Sequence, residues 1–234
     1  MVRNLFGGVG SPDRGEMLVI GLGRFGGALA RALEAEGHEV LGVDADPEIV
    51  QMFSNMLTHV VSGDTTSTDL LRQIGAADMH SVVVGIGDVE ASILTTAALV
   101  DVGAKNIWAK AVTNAHGKIL ERVGAHHVVF PERDMGERVA HLVSGQLLDY
   151  IQLDENFALV ETNAPKQLIG QTLADADVRR RYGVTVVCIK PEGAAFTYAT
   201  PQTVVGPRDV LLVAGEKDRA EGFAQLAPDD QAGA

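Results

Sequence analysis

Gly21, Gly23 and Gly26 fall within one short run, Val19-Ile-Gly-Leu-Gly-Arg-Phe-Gly-Gly27, at the spacing of a turn that offers bare backbone to a phosphate. Gly21 would make the tight turn out of the apolar stretch Met17–Ile20. Gly23 would admit an anion against the chain, and Gly26 would let a following helix pack closely on the strand. The first N–H groups of that helix would then face the anion. A second apolar run, His38–Val43, ends in Asp44, 18 residues past Gly26, where a carboxylate can accept hydrogen bonds from ribose hydroxyls. The same acid could instead be a surface cap for the next helix. Asp46, directly before Pro47, is the better-placed N-cap because proline suits the first helical position, and Asp46 also counts among the candidate ligand residues of this turn.

Arg24 and Phe25 lie inside the loop and are candidates with it. A guanidinium at position 24 would stand beside the phosphates and could grip a terminal phosphate with paired hydrogen bonds, a group that a nicotinamide dinucleotide lacks. Its alternative is a solvated first-turn residue. The carboxylate of Asp44 would repel a 2′-phosphate, which disfavours NADP.

These residues need strands and helices to hold them. From residue 16 to about 130 the chain alternates short apolar strands with helical stretches, the pattern of a doubly wound parallel sheet. Six strands are expected, at 17–20, 39–43, 58–62, 81–85, 106–110 and 127–130, with helices near 24–36, 47–55, 67–74, 89–102 and 115–123. Such a sheet delivers ligand-binding residues at the carboxyl ends of its strands. Asp64 and Thr65 follow the third strand, Gly85, Ile86 and Gly87 the fourth, Lys110 ends the fifth, and Glu132 follows the sixth. Each charged residue has a plainer reading: Asp64 and Asp88 as helix caps, Lys110 as an edge charge, Glu132 as a first-turn acid.

Glu132 to Leu148 reads as one amphipathic helix, with Met135, Val139, Leu142 and Val143 on a common face. Short β-like runs then follow at 158–161, 184–189 and 210–214, with one helix at 172–182. The fold class expected is therefore α/β: a Rossmann-like doubly wound parallel sheet and a second, smaller α+β domain, joined by a long helix. The expected divisions are a flexible leader at 1–15, a nucleotide-binding domain at 16–132, a linking helix at 133–152 and a second domain at 153–234 with a disordered tail.

The chain has 234 residues, 46% of them hydrophobic and 21% charged, as in ordinary globular proteins. No run approaches the roughly 18 apolar residues of a membrane span, and no secretory signal pattern opens the sequence, so a cytoplasmic protein is expected. The formal charge of −12 and the lack of a basic stripe argue against nucleic acid as a partner. One cysteine, Cys188, excludes an intrachain disulfide framework. The seven histidines all fall at or before residue 141, so the second domain offers none as an acid or base for hydride transfer. His126 and His127 are adjacent, and neighbours on a strand point to opposite faces, which makes a poor metal pair.

Gly21-Leu-Gly-Arg-Phe-Gly-Gly27, Val43-Asp44, Gly63-Asp64-Thr65-Thr66, Gly85-Ile-Gly87, Trp108-Ala-Lys110 and Phe130-Pro-Glu-Arg-Asp-Met135 together resemble the KtrA/TrkA family, the regulatory subunits of bacterial potassium uptake systems built on the RCK (KTN) domain. The resemblance covers about residues 16 to 215, favours the single-RCK KtrA branch, and likens the second domain to the RCK C-terminal (TrkA-C) module. It implies ATP or ADP binding, with NAD or NADH in some relatives, and a homodimer assembling into an octameric ring. The ring docks on a membrane potassium-translocating subunit of the KtrB/TrkH kind, from the cytoplasmic face of the membrane, and gates it. By the resemblance Arg24 senses the γ-phosphate, Asp44 holds the ribose, and Lys110 contacts the phosphate or adenosine side. Glu132 helps to hold Mg2+, Ca2+ or Na+ across the dimer. Some relatives bind cyclic di-AMP in the second domain, where Ile189, Pro191, Ala199 and Pro201 lie in the corresponding region. An NAD(H)-dependent oxidoreductase or an NAD(H)-binding redox sensor is the alternative.

Overall fold

The strands β1 (Met17–Ile20), β2 (Val40–Asp44), β3 (His59–Ser62), β4 (Ser81–Val84), β5 (Ile107–Lys110) and β6 (His127–Val129) form one parallel sheet in the order β3-β2-β1-β4-β5-β6. The computed structural model describes residues 15–143, 147–154 and 156–226. The expected leader, apart from Gly15, and the expected tail from 227 lie outside the described residues. The chain divides into two units after Glu132.

In the first unit the strands are short apolar runs because both sheet faces are covered near β1 and β2. On one face Leu18, Ile20, Leu41, Val82 and Ile107 pack with Leu71, Leu99 and Leu120 from helices α3 (Thr68–Gln73), α4 (Val89–Asp101) and α5 (Asn114–Val123). On the other, Val19 and Val40 pack with Ala30 of α1 (Arg24–Ala35) and Phe53 of α2 (Pro47–Phe53). Strand β1 pairs with β2 on one side and β4 on the other, with Ile20 opposite Val43 and Val84. Connections leave β1 and β4 in opposite directions, which opens a crevice at their carboxyl ends.

Helix α6 (Pro131–Val143) follows β6. It is shorter than the helix expected to run through residue 148, and residues 149–152 are not helical: they form β7 (Asp149–Gln152). The Arg138 guanidinium clasps both carboxylate oxygens of Asp149 at 2.8 Å, and Tyr150 packs inward with Ala158 and Val160. A pairing partner for β7 thus exists only in the folded chain.

The second unit is a five-stranded antiparallel sheet, β10-β9-β11-β8-β7, with β8 (Phe157–Asn163), β9 (Val184–Lys190), β10 (Thr197–Tyr198) and β11 (Val210–Glu216). Ala158, Val160 and Thr162 alternate inward along β8, as a sheet with one covered face requires. Leu168, Val184, Ile189, Leu211, Val213 and Phe223 form its main core. The single helix expected at 172–182 is instead two, α7 (Leu173–Ala176) and α8 (Val178–Tyr182), broken by Asp177 in the left-handed region at φ 45°. Helix α9 (Lys217–Ala224) closes the unit and was not foreseen; its Phe223 meets Tyr182 edge-on at 5.3 Å.

Candidate nucleotide-binding site

The turn from β1 into α1 is built as its residues require. Gly21 sits at φ +84°, a conformation that side chains with a Cβ avoid, and a Cβ on Gly26 would stand 1.9 Å from the Gly21 carbonyl oxygen. Helix and strand therefore approach at van der Waals limit. A Cβ on Gly23 would meet nothing within 4 Å, so the space before α1 is open. Helices α2, α3, α4 and α5 each begin with a side-chain cap, from Asp46, Ser67, Asp88 and Thr113. Helix α1 begins at Gly23 with none. Its first N–H groups are left to an anion or to water.

Asp44 at the end of β2 accepts from the Leu22 N–H at 2.7 Å and the Asp46 N–H at 2.9 Å. One carboxylate thus fastens the glycine turn to the β2 end, and each of its oxygens keeps capacity for a further donor. A cavity of about 260 Å³ opens between the glycine turn, Asp44, Asp64 and Thr65 after β3, and Gly85, Ile86 and Gly87 after β4. Gly21 and Gly23 line it as well, and Gly26 lies behind them in the turn. Asp64 Oδ1 accepts from both the N–H and the hydroxyl of Thr66, at 2.9 and 2.7 Å, and these bonds hold its carboxyl below the ordinary value. Ile49, Ala91 and Thr95 also line the cavity; the sequence reading missed them because each lies inside a helix. Two polar residues in the apolar face of α4, Thr95 and Thr96, were the available signal.

Not every expected residue reaches this cavity. Asp46 does not line it: its carboxylate accepts from the Glu48 N–H at 2.8 Å and caps α2, as its position before Pro47 allows. Asp88 likewise caps α4. Arg24, Phe25, Lys110 and Glu132 are also absent from the lining and gather instead at the ends of β5 and β6. Lys110 Nζ donates to Glu132 Oε1 at 2.7 Å and lies 6.0 Å from the Phe25 ring centroid. That hydrogen bond, then the backbone N–H of Glu132 and after it the Lys110 and Arg24 charges, holds the Glu132 carboxyl below its ordinary value against desolvation. Phe25 also borders an apolar groove between Leu29 and Leu33 of α1 and Val83, Trp108 and Val129 of the sheet.

His126 Nδ1 accepts from the Ile107 N–H at 3.0 Å, and His127 stacks on Trp108 with centroids 4.0 Å apart, so the two rings are separately engaged. Among the described residues no group of three or more His, Cys, Asp or Glu side chains could hold a metal ion. In the second unit a cavity of about 320 Å³ is lined by Arg179, Thr185, Ala199, Thr200 and Pro201 among others. Ala199 and Pro201 were expected there; Ile189 is a core residue, 2% exposed, and Pro191 lies outside the lining.

Residues 17–131 match the TrkA-N domain family and residues 157–227 the TrkA-C domain family. Ktr system potassium uptake protein C of Bacillus subtilis (strain 168) is 42% identical over 202 residues, 86% of this chain and 91% of that protein. Ktr system potassium uptake protein A of the same organism is 36% identical over 210 residues, 89% of this chain and 95% of that protein. The GsuK channel bound to NAD shares the fold, with a TM-score of 0.63 at 21% identity, and this chain matches 41% of its length. Two domain families in sequence and two relatives matched almost end to end place this chain in the KtrA/TrkA family of potassium uptake proteins.

Proposed function

We propose that this chain is a cytosolic regulatory subunit that senses adenine nucleotides and gates a membrane potassium channel or transporter. The observation that carries the reading is the uncapped start of α1, which faces an open crevice fastened to Asp44. A diphosphate at that helix start with its ribose at Asp44 is the arrangement such a crevice accepts. NAD and ADP share the adenosine diphosphate moiety, and the fold neighbour bound to NAD supports this class of ligand.

Arg24, Lys110 and Glu132 stand apart from the cavity, at the side where a phosphate chain would extend. A third phosphate would meet two cations there. Glu132 gives one oxygen to Lys110 and retains the other, which suits one position of a hard cation such as Mg2+, Ca2+ or Na+. One carboxylate fits such an ion only with phosphate oxygens, or a second subunit, completing the shell. A nucleotide moves a gate only if it binds two arrangements with different affinity. ATP and ADP would differ through contacts at Arg24, and coupling of about 1–3 kcal/mol per site is typical of allostery.

The apolar groove beside Phe25 is the face on which a second copy of this chain would pair, as in the dimers and octameric rings expected of the family. Among the described residues no helix is long and apolar enough to cross a membrane. The proposed location is accordingly the cytoplasmic membrane face, held by a KtrB/TrkH-like partner. The second-unit cavity at Ala199 and Pro201, with Arg179 at its wall, is the proposed place for cyclic di-AMP.

Calorimetric titration with ADP, ATP, NAD and NADH tests the reading. Saturable binding of ADP or ATP is expected, with the two distinguished. Binding of NAD or NADH alone would move the assignment to a redox sensor, and substrate-dependent NADH turnover would move it to an oxidoreductase.

A further inference from the structure

Helix α6 begins in the first unit at Pro131 and Glu132 and continues into the second. Two charged pairs hold it. Glu132, in its first turn, accepts from Lys110 Nζ at 2.7 Å, within the first unit. Arg138, six residues on and about 9 Å along the helix axis, clasps Asp149 of β7 within the second. Its Nη2 reaches both carboxylate oxygens at 2.8 Å, and its Nε reaches Oδ1 at 3.0 Å. Every residue from Glu132 to Ala140 is exposed, and a cavity of about 400 Å³ lies between Arg133, Asp134 and Glu137 of the helix and Tyr150, Ile151 and Gln152 of the strand. The helix stands off β7 and is pinned to it through Arg138.

Asp149 is also built into the sheet. Its Oδ1 accepts from the Tyr150 N–H at 2.7 Å, and β7 pairs with β8 through Asp149 opposite Glu161 and Tyr150 opposite Val160. Tyr150, 4% exposed, packs with Ala158 and Val160 of β8 and with Ala220 and Ala224 of α9. A displacement of Arg138 that keeps the clasp therefore moves β7 and the small core behind it. Paired hydrogen bonds from one guanidinium fix the orientation of the partner as well as its distance. The pair is partly exposed, 43% at the arginine and 33% at the aspartate, so it adds little to stability.

We propose that the Arg138–Asp149 clasp passes the state of the nucleotide site into the second unit, with Glu132 as the input, Arg138 as the positioning residue and β7 as the output. The inference rests on the nucleotide reading above and names the residues through which its signal travels. A phosphate that engages Lys110, or a cation that engages Glu132, alters the hold on the first turn of α6. Arg138 lies less than two turns further along the same helix, so the change arrives at β7. With the clasp cut, the cavity leaves α6 little hold on β7, and the second unit no longer follows the first. A ligand shifts such a device only by binding its two arrangements with different affinity.

The test is amide hydrogen exchange of the full chain, read over residues 149–163 with saturating ADP or ATP. Wild type should show exchange rates that differ by about 5-fold or more between the two nucleotides. Arg138→Gln and Asp149→Asn each remove the paired geometry from one side. In both, the difference should fall to about 2-fold or less while ADP and ATP still bind. A wild-type difference retained in either variant overturns the inference, even where exchange is faster with both nucleotides, since that marks a purely structural role. Equal exchange in wild type with ADP and ATP both bound overturns it while leaving the nucleotide reading intact. Failure of wild type to bind either nucleotide overturns both.

Discussion

Lys110 Nζ donates to Glu132 Oε1 at 2.7 Å and so ties the carboxyl end of β5 to the first turn of α6. The lysine side chain is 10% exposed and the carboxylate 61%, so the nearly buried ammonium is the member that depends on the pair. Solvent around the acid keeps the energy small. Glu132→Gln should cost about 1 kcal/mol of stability, read as a drop in Tm of a few degrees. The sign of the pH dependence follows from the depressed carboxyl of Glu132 in the folded chain. Its contribution is present above the ordinary value of 4.5 and is lost as pH falls through the lower folded value. The difference between wild type and Glu132→Gln should therefore be constant near neutrality and vanish in acid. A difference that grew on acidification would refute the pairing.

Arg24 is exposed in the first turn of α1, close enough to Glu132 for its charge to act on that carboxyl. Arg24→Ala should abolish discrimination between ATP and ADP while ADP binding survives, measured by calorimetry. Equal loss of both nucleotides would assign Arg24 to general phosphate binding instead.

Gly26 tolerates no side chain. Gly26→Ala would drive a Cβ into the Gly21 carbonyl, 1.9 Å away, and force helix from strand. A loss of about 1–3 kcal/mol in chemical denaturation is expected, together with loss of nucleotide binding. An alanine variant of wild-type stability would mean that α1 can shift freely.

His116 is 2% exposed, and burial alone depresses its pKa from the ordinary 6.5. Its Nδ1 accepts from the Val112 N–H at 3.3 Å. The unfolded chain binds the proton more readily, so stability is complete above 6.5 and declines as pH falls below it. His116→Asn, which can retain an acceptor, should flatten Tm against pH between about 5 and 7. An unchanged slope would place the acid sensitivity elsewhere.

Trp108 is the single tryptophan and borders the apolar groove. If that groove is covered by a second copy, Leu29→Glu should dissociate the assembly in analytical ultracentrifugation and shift Trp108 emission to the red, with circular dichroism preserved. An assembly of unaltered mass would show that subunits pair by another face.

The glycine turn was legible because its determinants are local. Gly21, Gly23 and Gly26 constrain the backbone of their own few residues, and apolar runs of four or five residues leave little choice of strand. Asp44 was legible for the same reason, since the strand before it brings it to the sheet edge. Asp46 was read both ways, and only the geometry showed its carboxylate committed to the helix cap. The strand β7 escaped because it is stabilised by distant partners, Asp149 by Arg138 and Tyr150 by the Ala158–Val160 strand, and the break at Asp177, whose carboxylate accepts from Arg180 three residues on, escaped because no glycine or proline marks it.

Sequence by itself therefore determined the order of the elements, the phosphate-facing turn and the acids and bases at the strand ends, because these depend on neighbours a few residues away. Tertiary structure decided which of them share a site. It set Lys110 against Glu132, 22 residues apart, and separated that pair from the crevice that holds Asp44, Asp64 and Thr65. It also joined Thr65 to Thr95, 30 residues apart. A hydrogen bond acts over about 3 Å of space rather than along the chain, and that distance exists only once the sheet and helix α4 have packed.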